Sequence, residues 1–184
     1  RQRQMCIRDS LYPRNAEVFQ ENDIMLGIYQ VKKLANFLRM PLSICLGVGS
    51  SQGAHIGESP LSQYVSYISG FSQVSVSVAA GNEGAARHHF RGKLGRENNA
   101  ATAELRVGEG EEGFTMELWG EPPEVYEVSV QSPTGEILDV STSLGAGTQT
   151  LSFVFVETKV LVNYVSIERQ TGYPLIYFRF LHPS

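Results

Sequence analysis

The chain has 184 residues, 42% of them hydrophobic, which is enough for one large domain or two small ones with a sizeable core. Its 15 basic and 19 acidic residues give a formal net charge of -4 with no block of Lys or Arg, so nucleic acid and anionic membrane surfaces are poor partners. The most apolar run, Val74 to Ala80, is interrupted by Ser75 and Ser77 and falls far short of the ~20 apolar residues a bilayer span requires.

Arg1 and Arg3 are followed by no apolar core, so no secretory leader is read. Arg1 to Ser10 carry neither helical nor strand period and read as translated adapter sequence; residues 1–14, an artefact or a disordered leader, are set aside from fold reasoning. A start without Met and an end at Phe180-Leu181-His182-Pro183-Ser184, directly after a strand-like run, read as cut ends. The two cysteines, Cys6 and Cys45, have neither metal-site nor disulfide-framework spacing and leave the compartment open.

From an N-cap at Asn22 or Asp23, the apolar residues Met25, Leu26, Tyr29, Leu34, Phe37 and Leu38 recur at three- and four-residue steps with Lys32, Lys33 and Asn36 between them, predicting an amphipathic helix. It stops at Met40-Pro41, because a residue before proline is driven out of the helical region. Leu42 to Leu46 then reads as a short buried strand, followed by a glycine-rich loop from Gly47 to Gly57. Ser59-Pro60 supplies an N-cap and a first-turn proline, Leu61, Tyr64, Val65 and Ile68 form one apolar face, and Gly70 ends the helix. The β-branched run Val74 to Ala80 closes in Gly81-Asn82-Glu83-Gly84, strong turn chemistry after a strand. The alternation helix, strand, helix, strand predicts parallel strands with right-handed crossovers, in which sites form at the carboxyl ends of the strands. The loops after Leu46 and Ala80 lie at those ends.

From Ala100 the pattern changes to period two: Leu105-Val107, Phe114-Met116-Leu118, Tyr126-Val128-Val130, Leu151-Phe153-Phe155, Val160-Val162-Tyr164 and Ile176-Phe178-Phe180 predict strands. Turn signals stand between them at Ser132-Pro133-Thr134-Gly135, Gly145-Ala146-Gly147 and Gln170-Thr171-Gly172. With no helical stripe intervening, an antiparallel sandwich or jelly roll is expected. The boundary falls near residues 90–100, with Arg87 to Asn99 as linker, so that residues 15–95 form an α/β part and residues 96–184 a β-sandwich part.

Taken alone, Gly81-Asn82-Glu83-Gly84 is a turn. Its setting says more. Ser43-Ile44-Cys45-Leu46-Gly47 and Ala79-Ala80-Gly81-Asn82-Glu83-Gly84, separated by one helix, resemble two core segments of the subtilisin-like serine proteases, the subtilases. Gly53-Ala54-His55-Ile56-Gly57, His88-His89 and the β-rich second half resemble a bacterial subgroup, including germination proteases of spore formers, with a jelly roll inserted before the catalytic Ser. The resemblance covers roughly residues 15–184.

It implies a serine endopeptidase acting on polypeptide, without a cofactor, in which the Asn82 carboxamide donates to the oxyanion. It also implies that Cys45, Leu46 and Gly47 form the edge that pairs with the substrate backbone and, with Ala79, Ala80 and Gly81, shape the pocket for the residue before the cleaved bond. The chain departs from the family at Cys45, where Ser is usual, and at Ile56, where the subgroup commonly has Asp.

No triad signature is present: Asp9-Ser10 is followed by Leu11 rather than Gly, no His-Gly-Thr-His occurs, and Ser141-Thr142-Ser143 lacks its Gly-Thr-Ser-Met-Ala context. In subtilases Asp and His precede this segment and Ser follows it, so an internal piece carries none of the three. Cys45 has no neighbouring His in sequence and reads as a small hydrophobe. No metal is expected: adjacent His88 and His89 point apart without a ligand at suitable spacing, and Glu109, Glu111 and Glu112 read as a solvated turn. Two other readings stand beside the protease: a non-catalytic subtilase-like scaffold, and an autonomous β-sandwich binding module using Trp119, Tyr126 and Tyr173.

Overall fold

The computed structural model describes residues 21–82, 84–95, 99–142 and 147–183. The leader at 1–14, Glu83 of the turn motif, Gly145-Ala146 and Ser143 lie outside the described residues. The order is α1 (Glu21–Leu38), β1 (Leu42–Leu46), α2 (Pro60–Ser69), β2 (Val74–Val78), then β3 (Gly113–Trp119), β4 (Val128–Gln131), β5 (Ile137–Val140), β6 (Thr148–Ser152), β7 (Lys159–Val165) and β8 (Leu175–Leu181). The fold is mixed α/β, with antiparallel sheets in the second half.

In the first half β1 and β2 pair in parallel, Leu42 opposite Val74 through Leu46 opposite Val78, as the alternation predicts. The strand is not buried on both sides: Leu42, Ile44 and Leu46 are half-buried, whereas Ser43 and Cys45 are exposed. α2 follows its sequence signals closely. Ser59 Oγ accepts from Ser62 N at 3.2 Å, Pro60 opens the helix and Gly70 caps it, with Ile68 buried.

α1 departs from expectation in two ways. Asn22 and Asp23 lie inside the helix rather than capping it, and its buried residues are Ile28 and Ala35, while Leu26, Leu34 and Phe37 are exposed. The three- and four-residue spacing is right, but the helix is apolar on both faces, and packing against α2 and β1 selects the face centred on Ile28. Its end is set by geometry as well as by Pro41. Arg39 takes a left-handed φ of 56°, and Arg39 N and Met40 N donate to Asn36 O and Ala35 O at 3.2 and 3.0 Å, the Schellman arrangement that satisfies terminal carbonyls.

The second half holds the main core. Strands run in the order β3-β8-β7-β6, all antiparallel, and β4-β5 forms a separate hairpin. Register aligns apolar rows across the sheet: Phe114, Phe180, Val160 and Leu151 in one, Met116, Phe178 and Val162 in the next. Val128, Val130 and Val140 of the hairpin pack onto that face, giving a second layer.

The turn at 132–136 closes the hairpin as its sequence signals. Ser132 N donates to Glu136 O at 2.8 Å, Ser132 Oγ accepts from Glu136 N at 3.1 Å, and Gly135 takes φ +90°. β5 was not among the predicted strands, because Ile137-Leu138-Asp139-Val140 alternates out of phase with its hydrophobicity: Ile137 is exposed and Val140 buried. Leu105-Val107 forms no strand. Phe153 and Phe155 lie beyond the end of β6, and Phe155 is exposed.

Candidate active site

The carboxyl ends of β1 and β2 lie side by side. Leu46 is opposite Val78, and Ala79 N donates to Leu46 O at 2.9 Å, carrying the ladder one step past the strand. Cys45-Leu46-Gly47 and Ala79-Ala80-Gly81-Asn82, distant in sequence, are thereby brought to one edge of the sheet. Gly81 takes φ +83°, a left-handed conformation that L residues rarely adopt, while a Cβ there would meet nothing within 4 Å. The glycine is required by backbone conformation and not by crowding. Asn82, next in the bend, is exposed.

An exposed carboxamide is a neutral hydrogen-bond donor held on a short turn. It can neither take a proton nor attack; its Nδ2 can donate a hydrogen bond and its Oδ1 can accept one. Cys45 is a free thiol, exposed on the uncovered face of the sheet opposite Ser77; its exposure contradicts the expectation of a buried small hydrophobe. Ile56 is also exposed, in the loop after β1.

That loop is fixed from the other half of the molecule. Gly53 N donates to Glu117 Oε2 at 2.7 Å, Gln52 Nε2 reaches Thr115 Oγ1 at 3.4 Å, and the Trp119 indole N–H holds the same Glu117 oxygen at 2.9 Å. The outer face of β3 is therefore a platform for the loop that leaves β1. Trp119 and Tyr126 have internal partners for their polar atoms, since the Tyr126 hydroxyl accepts from Glu121 N at 3.0 Å. Trp119, Tyr126 and Tyr173 are all half-buried.

No family model matches this chain, and no curated protein matches it. Among solved structures, it is similar to the Clostridium perfringens CspB protease, with a TM-score of 0.74 and 23% identity, over 95% of this chain and 36% of that chain. The chain has the fold of the corresponding part of that protein. It spans little more than a third of that protein's length.

Sequence reasoning missed one juxtaposition. The rings of His55, in the loop after β1, and His89, in the segment after β2, meet edge to face with centroids 4.9 Å apart and an interplanar angle of 74°. The His88-His89 doublet drew notice in the sequence, but nothing in spacing reveals that a loop thirty-odd residues earlier supplies its neighbour. Among the described residues no three His, Cys, Asp or Glu side chains converge, and no helix is long and apolar enough to cross a membrane.

Proposed function

We propose that this chain is the middle section of a subtilisin-like serine endopeptidase. Residues 15–95 form part of its catalytic domain, and residues 96–184 belong to an inserted β-sandwich of jelly-roll type. Peptide hydrolysis passes through a tetrahedral intermediate whose former carbonyl oxygen is negative, and preorganised donors stabilise that oxygen more than they stabilise the substrate. Asn82 Nδ2 supplies one such donor. The nucleophilic Ser, with its backbone N–H as second donor, and the Asp and His that activate it lie elsewhere in the protein.

Cys45, Leu46 and Gly47 offer backbone groups to an extended polypeptide substrate, and the small residues Ala79, Ala80 and Gly81 leave room for the side chain before the scissile bond. The observation that carries the reading is the Ala79-Ala80-Gly81-Asn82 turn at the end of a parallel strand, beside the end of its partner. The likeness in fold to part of a protease supports it. So does the two-stranded parallel sheet with one exposed face, since parallel sheets are ordinarily covered on both faces.

In the full-length protein, Asn82→Ala is expected to lower kcat by ~10²–10³ with little change in KM. The 184-residue chain by itself is expected to show no turnover. Turnover by this chain alone, blocked by a serine-directed inhibitor, would overturn the reading. Substituted Asp, His or Ser positions in the full-length sequence would instead favour the non-catalytic scaffold, to which Cys45 and Ile56 point.

A further inference from the structure

The contact between His55 and His89 is independent of any peptidase reading. His55 sits in a loop whose path is fixed by left-handed residues, Gly53 at φ +101°, His55 at φ +54° and Gly57 at φ +77°, and by the bond from Gly53 N to Glu117. His89 comes from the segment that leaves β2 past Asn82. Both side chains are exposed, so neither ring is held there by burial in a core.

The separation of the rings matches a chelate. A metal ion bound ~2.0–2.1 Å from an imidazole nitrogen lies about 3.2 Å from the ring centre, so two imidazoles at a near-tetrahedral angle have centres about 5 Å apart. The observed separation is 4.9 Å, and rotation about the soft χ2 of histidine turns ring nitrogens inward without moving the backbone.

We propose that His55 and His89 bind one divalent transition-metal ion of the class that prefers imidazole, such as Zn2+ or Ni2+, and that the ion staples the loop after β1 to the segment after β2. Because no third His, Cys, Asp or Glu joins the pair among the described residues, water completes the coordination. The ion's effect on the protein is conformational: a clip between residues far apart in sequence reduces the freedom of the long connection between them. Hard oxygen-seeking ions such as Mg2+ have no place in it.

The test is calorimetric titration of the full chain with Zn2+ and Ni2+, with Mg2+ as reference. His55→Asn retains a residue that tolerates the left-handed backbone, His89→Ala removes the second ring, and His182→Asn controls for a histidine elsewhere. Circular dichroism checks that each variant is folded. The expected result is one Zn2+ or Ni2+ per chain, binding at least about tenfold weaker in His55→Asn and in His89→Ala and unchanged in His182→Asn. Saturating Zn2+ should raise the thermal midpoint of the parent chain and leave both site variants unmoved. Binding that persists at full strength in either site variant would place the ion elsewhere, on Cys45 for example, and overturn the proposal. No binding at all would do the same.

Discussion

The two halves of the molecule are built to different standards of burial. In the antiparallel half, Val140, Val160, Val162, Ile176, Phe178 and Phe180 form one buried cluster, with Phe114 stacked on Phe180 at 4.6 Å. In the parallel half Ile28, Ala35 and Ile68 are the buried hydrophobic residues among those described, and Leu26, Leu34, Phe37 and Leu38 of one helix face outward. The candidate site sits on the half with the smaller core. Its loop after β1 is tied to the better packed half through Glu117, so the antiparallel half contributes order to the loop beside that site.

The sharpest way to break this contrast is to truncate one large side chain in each half. Phe178 is fully buried and Phe37 is 82% exposed. Phe178→Ala should cost about 3–5 kcal/mol, whereas Phe37→Ala in this chain should stay within about 0.5 kcal/mol, both read from urea midpoints. Equal costs would show that the exposed face of α1 is covered in solution.

A smaller effect is expected where the antiparallel half leaves no space. A Cβ on Gly120 would clash with the Tyr126 ring and come within 3.1 Å of Pro174 Cγ, so Gly120→Ala should destabilise by about 1–3 kcal/mol through overpacking. A neutral result would mean that the Tyr126 ring can move aside without losing the bond from Glu121 N.

The smallest effect concerns pH. Burial acts to raise the pKa of Glu168, but hydrogen bonds from Gln170 N, Thr171 N and Thr171 Oγ1 outweigh it and hold the carboxyl below its ordinary value. A depressed folded-state pKa contributes stability that is present above the ordinary carboxylate range and lost as pH falls through the lower folded value. Glu168→Gln should therefore lower stability near neutral pH, by less than the other two destabilising variants, and converge with the parent chain at low pH, flattening part of the acid limb. An unchanged acid limb would remove Glu168 from the account.

Much of the chain order was legible in the sequence. Ser59, Pro60 and Gly70 bounded α2 because caps are local, and Ser132 to Gly135 and Gln170 to Gly172 marked turns for the same reason. The inward face of α1 was not legible, since a helix with apolar residues on both sides carries no information about which side its neighbours will take. β5 escaped because a four-residue strand can alternate in burial without alternating in hydrophobicity. Leu105-Val107 shows the converse: an alternating pair of apolar residues does not make a strand without an edge to pair with.

At the candidate site the division is the same. The Gly81-Asn82 turn was determined by the sequence alone, because a β-branched run ending in glycine dictates a local change of backbone direction. Only the tertiary structure decided what shares that edge. Parallel pairing set Leu46 beside Val78 and Ala79, the outer face of β3 fixed the path of the loop after β1, and that path set His55 against His89. Local dihedral preference is encoded residue by residue, whereas the meeting of distant loops depends on the packing of every element between them.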